Sequence, residues 1–250
     1  MNRQAVNPYL PSWEYIPDGE PHVFNGRVYV YGSHDRFNAP IFCVNDYVCW
    51  SAPVEDLSEW RYEGVIYRKK QDPKNPLGYH LLFAPDVCQG PDGRYYLYYA
   101  FDFLGIMSVA VCDTPAGEYK FLGHIHYADG TLWGRRRGDQ LPFDPGVLAD
   151  DDGRVWLYSG FYNAVPAILT GGHKLRCDGG TVLELEKDMV TIKTEPRVIF
   201  PKKGPGAFQG HEFFEASSIR KEGKTYIFVY SSRHNHELCY ATSQSPDRDF

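Results

Sequence analysis

Four acidic residues occupy matching places along the chain. Asp18, Asp86, Asp144 and Glu215 precede the glycines Gly26, Gly93, Gly153 and Gly223 by 8, 7, 9 and 8 residues, by subtraction of their numbers. Two carboxyl groups facing each other across a pocket suit cleavage of a glycosidic bond, one protonating the leaving oxygen while the other activates water or attacks the sugar. A third acid raises the pKa of the proton donor by like-charge repulsion. One such acid alone is as well explained by a turn cap or an ion pair, whereas four in register describe a shared site. Asp86, in Ala84-Pro85-Asp86, reads as the structural member, part of a fixed entry turn.

The elements that must position these acids are short strands. Runs rich in Tyr, Val, Phe and Ile, such as Arg27 to Tyr31, Arg94 to Tyr99, Val155 to Tyr158 and Thr225 to Tyr230, alternate with Gly, Asp and Pro, and helical periodicity is almost absent. Four segments starting at Pro17, Pro85, Asp144 and Glu215 superimpose as strand, tight turn and strand, their turn glycines separated by 67, 60 and 70 residues by subtraction. Third strands ending in a proline turn follow at Val48 to Pro53, Ala110 to Pro115 and Ala241 to Pro246, and fourth strands at Trp60 to Tyr67 and Tyr119 to Tyr127. The third unit takes Thr181 to Leu185 and Thr191 to Phe200 as its outer strands.

Four antiparallel strands recurring at this period make the blade of an all-β propeller, because one small sheet cannot bury both its faces without neighbours. The blades fall at about residues 17–67, 83–127, 143–200 and 213–250, the last incomplete, within a single domain. Residues 129–141 and 201–211, rich in Gly with Arg, Lys or Pro, connect blades. The first strand of each blade lines the central channel, so the acids converge on one of its mouths. Antiparallel pairing sets the end of each second strand beside the start of the first. His34, Asp35, Phe101, Asp102, Phe161, Tyr162, Arg233 and His234 therefore share that rim, and polar groups among aromatic faces are what a sugar binds.

Composition narrows the alternatives. With 250 residues, 43 % hydrophobic, 16 % aromatic and 23 % charged, the chain has enough apolar material for a core. The 26 Lys and Arg against 32 Asp and Glu, a net charge of −6, give no basic excess for nucleic acid or an anionic membrane. The first residues lack an apolar leader and no run is long enough to span a bilayer, so a cytoplasmic protein is expected. Six scattered cysteines without C-x-x-C spacing suit free thiols. His234 and His236 point to opposite faces of a strand, which argues against a metal site built on that pair.

Asn7-Pro8-Tyr9-Leu10-Pro11 leading to Pro17-Asp18, Phe83-Ala84-Pro85-Asp86, Asp144-Pro145 and Glu215-Ala216-Ser217-Ser218 together resemble glycoside hydrolase family 43, in the same order and over the whole chain. The resemblance implies a five-bladed propeller acting with inversion on pentosides: xylosides, arabinofuranosides, or arabinan and xylan oligosaccharides. It implies Asp18 as general base, Asp144 as the acid that orients the pair and tunes its pKa, and Glu215 as general acid. The base and acid carboxyls are then expected about 6.5–9.5 Å apart. Phe83 stands where the family commonly has a sugar-facing Trp. No cofactor is required, although a structural calcium in the channel accords with the family.

Phe250 aligns with the first residue of a fourth strand, so the sequence stops inside blade four before the family's closing blade, either as a shortened piece or reading frame or because another chain completes the ring. The open faces of blades one and four are then expected to pair with a second copy or with another chain completing the ring. Two alternatives remain: a weakly active or non-catalytic glycan-binding propeller, and a retaining fructan or sucrose hydrolase of the same architecture.

Overall fold

A computed structural model describes residues 7–250. Residues 1–6, on which part of the leader reading rests, lie outside the described residues. The fold is an all-β propeller of four blades. Blade one holds β1 (Glu20–Phe24), β2 (Arg27–Tyr31), β3 (Tyr47–Pro53) and β4 (Arg61–Tyr67). Blade two holds β5 (Asp86–Gln89), β6 (Tyr95–Ala100), β7 (Met107–Cys112) and β8 (Lys120–His124). Blade three holds β9 (Gly146–Ala149), β10 (Val155–Phe161), β11 (Gly179–Leu185) and β12 (Arg197–Pro201), and blade four β13 (Phe213–Glu222), β14 (Thr225–Ser232) and β15 (Leu238–Ser243). Every blade is antiparallel in sequence order. The last strand of blade three is shorter than expected: residues 191–192 leave the sheet for bridges to His126 and Leu185, and pairing with β11 resumes only at Arg197.

Side-chain alternation explains the stacking. Along β6, Leu97 and Tyr99 face blade one while Tyr96 and Tyr98 face blade three, so both surfaces of this strand are buried. Blades three and four close on Trp156, Tyr158, Phe200, Phe228 and Tyr230. The tyrosine-rich composition fits such a core because each ring fills an inter-blade space while its hydroxyl finds an acceptor. Tyr31 donates to the Pro115 carbonyl at 2.7 Å, Tyr98 to Met189 at 3.0 Å and Tyr99 to Asp72 at 2.8 Å. The six cysteines are free, four of them buried. Among the described residues no helix is long and apolar enough to cross a membrane.

Gly26, Gly93, Gly153 and Gly223 all have positive φ, between 59° and 83°. Their hairpins need that left-handed conformation, which a side chain strains. Gly26→Ala is expected to lower stability by about 1 kcal/mol, read as a drop in denaturant midpoint without a change in slope.

Hydrogen bonds at the hub join the blades. Asp86 is buried at the start of β5; it accepts from the Val147 amide of β9 at 2.6 Å and lies 2.6 Å from His22 Nε2 of β1. This is the structural role expected for Asp86. Glu20 of β1 accepts from Ser218 at 2.7 Å and from Arg220, both on β13. Lys221 of β13 bonds Asp150 beside β9.

The outer face of blade one is not bare, contrary to the expectation for an open ring. Residues 9–16 lie over it: Tyr9 packs on Trp60 with ring centroids 4.8 Å apart, and Trp13 on Trp50 at 5.9 Å. Glu14 accepts from Trp50 Nε1 at 2.8 Å. Blade four differs, since Leu238 and Tyr240 on its last strand are 81 % and 73 % exposed.

Candidate active site

The three acids lie where the backbone departs from regular strand. Asp18 (φ 56°) ends the turn before β1, and Asp144 (φ 47°) sits two residues before β9. Glu215 lies inside β13, but the pairing of β13 with β14 slips on both sides of it and Ala216 takes φ 61°. A bulge of this kind re-aims a side chain. Non-glycine residues with positive φ concentrate where function over-determines the backbone.

Asp18, Asp144 and Glu215 open onto one cavity of about 420 Å³ at the channel mouth. Asp18 Oδ2 accepts from Ser33 Oγ at 2.7 Å, fixing that carboxyl in the cavity wall. Asp144 Oδ2 accepts from the Ala216 amide at 3.1 Å, so it grips the residue next to Glu215. His236, at the β14–β15 turn, brings Nδ1 to 3.7 Å from Glu215 Oε1.

The electrostatics assign protons. Burial, with the charge of Asp18 next, pushes the Glu215 carboxyl up to about 7. Asp144 is the most buried of the three; its pKa is raised well above the carboxylate range by desolvation and then by the charges of Glu215 and Asp18. Burial thus favours the protonated form of Asp144. Burial is thus the first cause of the Glu215 shift and the charge of Asp18 the second, and the charges of Asp144 and Glu215 also act on each other.

The rest of the wall is phenylalanine. Phe83, Phe103, Phe143, Phe161 and Phe214 line the cavity, with Phe103 and Phe143 stacked at 5.4 Å and 3°. Of the predicted sugar contacts, Asp35, Phe83 and Phe161 are in the lining. Asp35 spends one oxygen on the Cys43 amide at 2.5 Å.

Six others are not there, Tyr162 and His234 among them. Phe101 is fully buried against Tyr99, 5.4 Å away, because period-two alternation keeps it on the Leu97–Tyr99 face. The chain then turns at Asp102 (φ 25°), and Phe103 enters the pocket instead. Asp102 itself binds His80 at 3.0 Å and caps the Leu104 amide. His34 spends both ring nitrogens on structure, one near the Asp46 carbonyl at 2.8 Å and one near Glu14 at 3.0 Å. Arg233 reaches the Tyr162 hydroxyl at 3.2 Å, outside the cavity lining. Phe143 and Phe214 were legible as the residues just before Asp144 and Glu215, whereas His236 comes to Glu215 only through the turn geometry of Asn235 and His236, both at positive φ.

A channel calcium is tested by the donors present. Glu20, His22 and Asp86 bring one ligand atom each within 4.8 Å of one another. Calcium prefers six to eight oxygens. Here one donor is an imidazole, Asp86 is committed to Val147 and His22, and the Arg220 guanidinium already neutralises Glu20. As bonded, this cluster does not fit calcium.

The profile of Glycosyl hydrolases family 43 matches residues 17–249. The chain is 60 % identical over 254 residues to a xylosidase/arabinosidase of Thermoclostridium stercorarium, with all of this chain but only 52 % of that relative covered. It thus spans about half of that relative's length. A xylosidase/arabinosidase of Bacteroides ovatus is 31 % identical over 266 residues, covering 95 % of this chain and 77 % of the relative. Among solved structures, CoXyl43, a β-xylosidase/α-arabinofuranosidase from a compost metagenome in complex with xylotriose in a calcium-free form, superimposes with TM-score 0.71 and 27 % identity over 97 % of this chain and 78 % of that one. A Xanthomonas citri enzyme complexed with xylose gives TM-score 0.71 and 26 % identity over 93 % and 71 %. With its three acids on one propeller mouth and the family profile matched through all four blades, this chain belongs to glycosyl hydrolases family 43.

Proposed function

We propose that this site hydrolyses pentosidic bonds of xylosides or arabinofuranosides with inversion. The observation that carries the reading is the convergence of Asp18, Asp144 and Glu215 on one phenylalanine-walled cavity. Glu215, protonated below about pH 7, gives its proton to the leaving oxygen. Asp18, steadied by Ser33, takes a proton from water attacking the opposite face of the sugar ring. Asp144 holds the Ala216 backbone so that Glu215 points into the pocket. The phenylalanines offer an apolar surface to the pentose ring, with Asp35 nearby for its hydroxyls.

The test is turnover of nitrophenyl xylosides and arabinofuranosides, with the first-formed anomer followed by NMR. Inverted product with an alkaline limb near pH 7 is expected. A retained anomer would place the site with the fructan and sucrose hydrolases, and binding without turnover would make it a glycan-binding propeller.

The exposed Leu238 and Tyr240 support a companion reading, that blade four's outer face is covered by a second copy or by another chain that closes the ring. Sedimentation at micromolar concentration addresses it, and a stable, fully active monomer would overturn it. The six free thiols suit a reducing compartment and support action in the cytoplasm.

A further inference from the structure

Outside the acid site, one cluster combines soft and hard ligand types. His211 Nδ1, Glu237 Oε1 and Cys239 Sγ lie within 4.8 Å of one another, on the side of blade four next to the loop over residues 202–212. Nδ1 is 2.5 Å from Oε1, and the thiol donates to the same oxygen at 3.5 Å. The backbone at all three is tied by hydrogen bonds or strand pairing. The His211 carbonyl accepts from the buried Tyr230 hydroxyl at 2.7 Å, and its amide donates to Phe208 at 2.7 Å. Glu237 accepts the Ser232 amide at 3.0 Å through its carbonyl, which closes the β14–β15 turn, and Cys239 is paired opposite Tyr230 in the sheet.

We propose that His211, Glu237 and Cys239 bind a zinc-class divalent ion. Imidazole, carboxylate and thiolate are the donors zinc takes, and three protein ligands with a water in the fourth position complete a tetrahedron. Donors around such an ion stand roughly 3.3–3.8 Å apart, so small rotations of the half-exposed side chains suffice. On binding, the Cys239 thiol proton leaves to buffer and the sulfur–metal bond forms from the thiolate pair, with no redox change. The ion clasps the loop that ends at His211 to the strand that begins beyond His236, one residue from Glu237 and within reach of Glu215.

Chelator-treated full chain is titrated with zinc by calorimetry in two buffers of different ionisation enthalpy, and with cobalt by absorption. One equivalent, proton release, and an intense thiolate-to-cobalt band are expected. Cys239→Ser should abolish the band, and His211→Ala, at an exposed side chain, and Glu237→Gln, at a half-buried one, should weaken zinc by at least about tenfold. Cobalt binding without the thiolate band, zinc affinity unchanged in the His211 and Glu237 variants, or loss of binding in His22→Gln instead would overturn the site. The last result would move the ion to the Glu20–His22–Asp86 cluster.

Discussion

Glu215→Gln is expected to cut turnover of unactivated xylo-oligosaccharides by about 10²–10⁴-fold while slowing nitrophenyl pentosides much less. A sugar leaving group departs only if its oxygen is protonated, and glutamine has no acidic proton to give; nitrophenolate leaves without help. Asp18→Asn should instead impair both substrates alike, since the water needs its base whatever the leaving group. Equal losses on both substrates in the Glu215 variant would show that Glu215 is not the acid.

The same carboxyl has a stability signature. Its folded-state pKa of about 7 exceeds the ordinary glutamate value of 4.5, so between these pH values the folded protein holds a proton that the unfolded chain has released. Stability from this group is present below about pH 4.5 and is lost as pH rises to about 7. Glu215→Gln, neutral throughout, should flatten the fall in melting temperature across that window. Asp144 adds a loss of the same sign, since burial raises its pKa as well.

Asp144→Ala is expected to lower kcat by about 10²-fold, and Asp144→Asn to restore most of that loss. Asparagine keeps an oxygen for the Ala216 amide and is neutral, the form that burial favours for Asp144. Alanine leaves the amide unpaired and frees the bulge that aims Glu215. The alkaline limb should stay near pH 7 in the Asn variant, because burial first and the charge of Asp18 second raise Glu215. A downward shift of the limb in Asp144→Asn, with Asn as slow as Ala, would restore the electrostatic role to Asp144.

The repeat made the propeller and its acids legible because a turn glycine and the strand before it have fixed lengths. Phase alone placed Asp18, Asp144 and Glu215 together. The pocket walls were less legible, and Phe101 shows why: closeness to the rim decides which residues are near, but one step of strand alternation and the turn at Asp102 decide which enter. His34 fails for another reason, since its partner Glu14 comes from a segment without repeat counterparts that folds back over blade one. His236 depends on two consecutive left-handed residues, which the letters Asn-His do not dictate.

The hub bonds bear on how the molecule comes apart. Repeat proteins whose units touch only adjacent units can fray from an end. Here Glu20 is bonded to Arg220, two hundred residues away, His22 to Asp86, Asp86 to Val147 and Asp150 to Lys221, so the first and last blades are fastened to each other as well as to the middle. Detaching the terminal blade means breaking charged contacts on both its flanks. Heating should therefore give a single all-or-none transition, with calorimetric and van't Hoff enthalpies equal, and Arg220→Met should split it by letting blade four melt ahead of the rest.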